Sequence, residues 1–173
     1  MKIICIAGPS GSGKTLLIEQ IIPELTNRGL RVATAKHTCH EGVSLDTKGK
    51  DTYRHRKAGA ETVFLISPDS YYVLAERKGR FSLSDVLALH DPGTDILIAE
   101  GFKHENFPKV ELVPEGSDSL FLNDKSLLAI VSESPIAGSP VPYFRPSEIS
   151  RLVDFIISLV NEKAPQALSP TDS

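Results

Sequence analysis

Cysteine is scarce: the 173 residues hold two, Cys5 and Cys39, too few for a framework of disulfides. A reducing compartment, the cytoplasm, is therefore the expected setting. No apolar run approaches the length of a membrane span, so no membrane partner is expected. Charge of one sign is not in excess either. Lys and Arg number 19 against 22 Asp and Glu, a formal net charge of −3, which leaves no electrostatic footprint for nucleic acid or a membrane surface. The first strand begins at Lys2, which argues against a cleaved secretion leader. Internal repeats are absent. Compositional bias is confined to residues 164–173, rich in Pro, Ser and Ala, which read as a frayed, disordered tail behind a single domain spanning 1–163. Hydrophobic content of 40% and charged content of 24% suit a folded globular chain.

The chain does contain Gly8-Pro-Ser-Gly-Ser-Gly-Lys-Thr15. This pattern arises by chance in roughly one chain in a hundred or fewer of this length. Its context sharpens it: the apolar run Lys2–Ala7 reads as a buried strand, and a helical pattern starts at Lys14 with Leu16, Leu17, Ile21 and Leu25 on nearby faces. A strand, a glycine-rich turn and a helix make a phosphate cradle. Glycines at 8, 11 and 13 let backbone N–H groups, with Ser10 and Ser12 between them, turn toward phosphate oxygens. The helix start adds its positive dipole end. In such a loop Lys14 reaches the β- and γ-phosphates and the Thr15 hydroxyl ligates Mg²⁺.

Strand and helix signals alternate along the rest of the chain. Asn27-Arg-Gly29 is a helix stop, and 30–35 reads as a second strand. Residues 37–50 are polar and aperiodic, and 51–60 has helical composition. Residues 61–67 and 71–76 read as strands joined by Pro68-Asp-Ser in a hairpin. Ser82-Leu-Ser-Asp85 opens a short helix with a capping-box pattern, 95–100 is a buried strand, and 109–113 and 127–131 are further strands. The last helix begins at Ser147, with Ile149, Leu152, Val153, Ile156 and Val160 at helical spacing. The expected fold is α/β of the P-loop NTPase type: a mostly parallel sheet flanked by helices, with a small β-hairpin excursion. Cys5, in mid-strand, is expected to be a small core residue.

Ligands of such sheets gather at the carboxyl ends of the strands. Glu100 ends one of them and is the candidate acidic group for Mg²⁺ or for an attacking water, although Asp is the commoner residue there. Asp46-Thr-Lys-Gly-Lys-Asp51 and the charges that follow read either as a solvated face or as a switch-like segment, with Asp46 or Asp51 directed at Mg²⁺ and Lys50 or Arg54 at phosphate; Asp46 is the first choice. His37, Cys39 and His40 supply metal-ligating atoms in one short stretch, but no second Cys/His pair follows to complete a structural zinc site.

Together these residues resemble the molybdopterin-guanine dinucleotide biosynthesis protein B family, MobB. The matching segments are the loop 8–15, Lys36-His-Thr38, Asp46 with Lys48-Gly-Lys-Asp51, Arg56-Lys-Ala-Gly-Ala60 and Glu100-Gly-Phe-Lys103. The resemblance implies GTP and Mg²⁺ as ligands, weak GTP hydrolysis at most, a homodimer, and an accessory role beside the nucleotidyltransferase MobA. It implies that Gly11 to Thr15 hold the phosphates and that Asp46 and Glu100 lie near the metal and the γ-phosphate. One departure concerns the segment after strand 2: family members often carry a His-rich run where this chain has Cys39, Glu41 and Gly42.

Guanine specificity has no readable motif, since neither Asn-Lys-x-Asp nor Thr-Lys-x-Asp occurs. Glu133, in the loop after 127–131, is the candidate acceptor for guanine N1 and N2. Two alternatives remain at this level. One is a metallochaperone GTPase using His37, Cys39 and His40. The other is a P-loop small-molecule kinase, which needs an arginine-bearing lid, whereas Arg77, Arg80 and Arg145 are scattered.

Overall fold

Isoleucine and its neighbours fill both faces of strand β1 (Lys2–Ala7) because helices cover the sheet on both sides. In the computed structural model, which describes residues 1–40, 43, 46–76, 82–89 and 91–161, Ile4 and Ile6 join the core formed with α1 (Lys14–Asn27) and α4 (Ile149–Asn161). Cys5 and Ile3 pack instead with Leu83 of α3 (Leu83–Leu87). The strand β5 (Ile96–Glu100) repeats the division, with Ile96 and Ile98 on the first face and Leu97 and Ala99 on the second.

The sheet has six parallel strands in the order β2-β5-β1-β6-β7-β8, the others being β2 (Val32–Lys36), β6 (Lys109–Leu112), β7 (Leu127–Val131) and β8 (Tyr143–Phe144). The chain leaves β1 toward one edge, through α1 to β2. It later passes from β5, on that side of β1, to β6 on the other. The order therefore reverses around β1, and a crevice opens at that strand's carboxyl end, where Gly8 begins. The parallel sheet and its flanking helices are those expected, as is the core position of Cys5. The two-residue β8 was not anticipated, because so short a segment carries no period.

In α1 the buried stripe is Leu17, Ile18, Ile21 and Leu25. Leu16, expected on that face, is 59% exposed. At about 100° per residue it lies roughly 150° round from the centre of the stripe. Gly29, at φ 86°, ends the helix, and the Leu30 N–H reaches back to the Leu25 carbonyl at 3.2 Å.

The chain divides into two compact units, one of Met1–Thr38 and the chain from Leu83 onward, the other of Cys39–Ser82. The second unit holds α2 (Asp51–Lys57) and the expected hairpin, β3 (Thr62–Ile66) paired antiparallel with β4 (Tyr71–Ala75). The Ser67 N–H closes the turn onto the Ser70 carbonyl at 2.8 Å. The tail 164–173 lies outside the described residues.

Candidate nucleotide-binding site

The loop after β1 is shaped by its glycines. Gly8 has φ 139°, and a Cβ there would stand 2.5 Å from the Leu112 carbonyl oxygen. Gly13, at φ 92°, precedes α1 and provides no side-chain cap. The leading N–H groups of the helix therefore keep their capacity for an anion. The Ser12 hydroxyl is buried with no partner among the described residues. A buried orphan hydroxyl inside a glycine cradle suits a ligand rich in acceptor oxygens. The Lys14 ammonium folds over the loop and donates to the carbonyls of Gly8, at 3.2 Å, and Pro9, at 2.5 Å.

Glu100 comes to this loop because β5 lies directly beside β1, with Glu100 in register with Ile6. The Thr15 hydroxyl donates to both carboxylate oxygens of Glu100, each at 3.2 Å. Lys36, at the end of β2, completes the group: its Nζ is 3.2 Å from Glu100 Oε1 and 3.5 Å from Thr15 Oγ1. Partial burial lowers the Lys14 pKa; Glu100 opposes that shift, and Lys36 and Lys103 add to it. One carboxylate thus faces several ammonium groups, a balance that suits a polyanion carried with a divalent cation.

Gly101 is required by how closely β2 passes. A Cβ at Gly101 would meet the His37 carbonyl oxygen at 2.9 Å, and the residue has φ 88°. The His37 N–H donates to the Glu100 carbonyl at 2.8 Å. The His37 ring stands edge-on against buried Phe102 at 5.5 Å. This packing fixes the backbone on both sides of Glu100. Lys36 was quoted in the sequence motif without a role; its signal was a cation at the carboxyl end of a strand.

Asp46 and Lys50 lie in the second unit. Asp46 Oδ1 accepts from the Thr52 hydroxyl at 2.8 Å, and its Oδ2 pairs with Arg56 at 3.0 Å. These bonds, Thr52 first, hold the Asp46 carboxyl below its ordinary value. Arg56 also pairs with Glu76. Asp46 and Lys50 border a groove of roughly 750 Å³ whose other walls include Leu65, Tyr72 and Leu74. Glu133 is exposed after β7. Among the described residues no group of three or more His, Cys, Asp or Glu side chains is arranged to hold a metal ion. Among them, too, no helix is long and apolar enough to cross a membrane.

A parallel sheet that reverses its order at a glycine-rich loop, with an acidic strand end facing the loop's threonine, is the architecture of P-loop nucleotide-binding proteins. Within that class, the model of the family described as MobB, molybdopterin guanine dinucleotide synthesis protein B, matches residues 3–133. The chain belongs to the MobB family. It is 36% identical over 138 residues to the molybdopterin-guanine dinucleotide biosynthesis adapter protein of Haemophilus influenzae, covering 79% of this chain and 77% of that one. To the protein of the same description from Escherichia coli it is 30% identical over 170 residues, 94% of this chain and 95% of that one. The crystal structure of Bacillus subtilis MobB superposes with a TM-score of 0.72 at 27% identity, covering 94% of this chain and all of that one.

Proposed function

We propose that this protein is a GTP-binding adapter in molybdopterin guanine dinucleotide synthesis, working in the cytoplasm beside a MobA-type nucleotidyltransferase and hydrolysing GTP weakly at most. The observation that carries the reading is the Thr15–Glu100 contact, at 3.2 Å to both carboxylate oxygens, at the mouth of the glycine loop. Phosphates would be held by Gly8, Ser10, Gly11, Ser12, Gly13 and Lys14, and Mg²⁺ by Thr15 and Glu100. Bound Mg²⁺ would supply charge neutralisation between phosphate oxygens. Lys14 supplies the main cation for the terminal phosphates, and Glu100 orients a water.

Pairing as a homodimer belongs to the same reading. A two-stranded hairpin is marginal alone, and β3–β4 leaves Phe64, Ile66, Tyr71 and Tyr72 more than half exposed. The adapter descriptions of the relatives support a protein partner over free-standing catalysis. Titration of labelled GTP and ATP at equal Mg²⁺ tests the ligand, with Lys14→Ala as control. GTP is expected to bind more tightly and the variant to lose binding. A preference for ATP overturns the guanine part. Co-purification with the nucleotidyltransferase tests the partner, and its absence in the presence of GTP overturns that part.

A further inference from the structure

We propose that Lys36 is a second phosphate-binding cation, one that reads the terminal phosphate and so distinguishes a nucleoside triphosphate from a diphosphate. The inference rests on the nucleotide reading above and adds a residue to which nothing in it gives a role.

The position of Lys36 follows from the sheet. Its backbone is paired in parallel register with Glu100, in a ladder running from Val32↔Ile96 to Lys36↔Glu100. The pairing places its Cα at the same level as the acidic residue, at the carboxyl end of the sheet, two strands from the one that leads into the loop. The ammonium lies 3.2 Å from Glu100 Oε1 and 3.5 Å from Thr15 Oγ1. It therefore touches both groups proposed to hold Mg²⁺, on the side of the loop away from β6.

The side chain is 62% exposed while Glu100 is 14% exposed. An ion pair so open to solvent contributes little to stability. A long, loosely held cation beside a metal-type donor pair has a different use. When Thr15 and Glu100 turn to a divalent cation, the ammonium loses its acceptors and is repelled by the new charge. An oxygen of the terminal phosphate is the anionic acceptor within reach of its flexible stem. Lys14 already lies over the loop, on the carbonyls of Gly8 and Pro9. Lys14 then serves the β- and γ-phosphates from the loop side, and Lys36 adds a second cation at the terminal phosphate from the β2 side. A diphosphate fills the cradle but offers Lys36 no terminal phosphate oxygen in place of the acceptors it loses.

Competition titration of unlabelled GTP and GDP against labelled GTP, with Mg²⁺ present, tests this on the full chain and on Lys36→Met and Lys36→Arg. A charge-assisted contact made only by the triphosphate predicts that Lys36→Met weakens GTP about tenfold and GDP by less than about threefold. Lys36→Arg should keep the wild-type GTP-to-GDP ratio within about threefold. Thermal unfolding should coincide in all three proteins, which separates the effect from folding. Equal weakening of both nucleotides, or no change in either, overturns the role of Lys36 and leaves the nucleotide reading standing. If the wild-type protein binds neither nucleotide with Mg²⁺, the nucleotide reading fails, and the inference with it.

Discussion

A single missing Cβ decides the shape of the phosphate loop. At Gly8 an added methyl group would stand 2.5 Å from the Leu112 carbonyl oxygen, a backbone atom that cannot swing aside, and φ is 139°. Gly8→Ala is therefore expected to cost about 1–3 kcal/mol of stability, measured by denaturant unfolding. Gly11, at φ 75° with open space around its Cβ position, should cost less on the same substitution. The two cysteines offer a second check at this scale. Burial pushes the Cys5 thiol up to about 11, so its reactive thiolate is scarce at neutral pH, whereas Cys39 is exposed. Alkylation of the native protein at pH 7.5, well below the Cys5 value of about 11, should label Cys39 and spare Cys5 until the chain is unfolded. The loop residues and Glu100 were legible because their chemistry is local: glycines at fixed spacing and an acid at a strand end. Lys36 showed only a cation at a strand end, with nothing to give it a role, since its partners sit 21 and 64 positions away.

Among the elements, α2 and the segment before it depend on one carboxylate. Asp46 joins Thr52 and Arg56 of α2, and Arg56 in turn reaches Glu76 after β4. The folded Asp46 value lies below the ordinary 3.8. A depressed carboxylate stabilises the fold above its unfolded value, and the contribution disappears as pH falls through the folded value. Hydrogen exchange in α2, corrected for intrinsic rates, should thus show steady protection from pH 7 down to about 4 and a loss below it. Protection that falls between pH 7 and pH 5 would count against the pairing. The elements themselves were mostly readable from period and punctuation. Where expectation failed, packing explains it. The helical pattern groups Leu16 on nearby faces with Leu17, Ile21 and Leu25, but the helix's orientation is set by those three against the sheet, which leaves Leu16 exposed. Strand β6 hides Lys109 and Glu111, both essentially buried. Lys109 is held by the Glu105 carbonyl and Ser126, and Glu111 by Ser119 and the Leu120 N–H. The sequence reads as a strand here and says nothing of where these two charges lie; tertiary partners make their burial possible.

At the scale of the whole molecule, the hairpin is where association should register. Phe64, Ile66 and Tyr71 present apolar surface that a two-stranded unit cannot cover for itself. If the proposed homodimer uses this surface, Phe64→Ser with Ile66→Ser should shift the sedimentation coefficient to that of a monomer while leaving nucleotide affinity within about twofold, because rim-to-site coupling requires differential contacts. An unchanged dimer would exclude the hairpin as the interface. The sequence by itself determined the class of fold, the phosphate loop and the family resemblance, because each depends on residues close together along the chain. It also marked the hairpin as an excursion. The strand order decided the rest. Only with β5 inserted between β2 and β1 do Lys36, Glu100 and Thr15 meet, and only close packing at Gly8 and Gly101 reveals which glycines are obligatory. Spacing along a chain carries no information about which strand ends become neighbours. Hydrogen-bonded register does, and it exists only in the folded sheet.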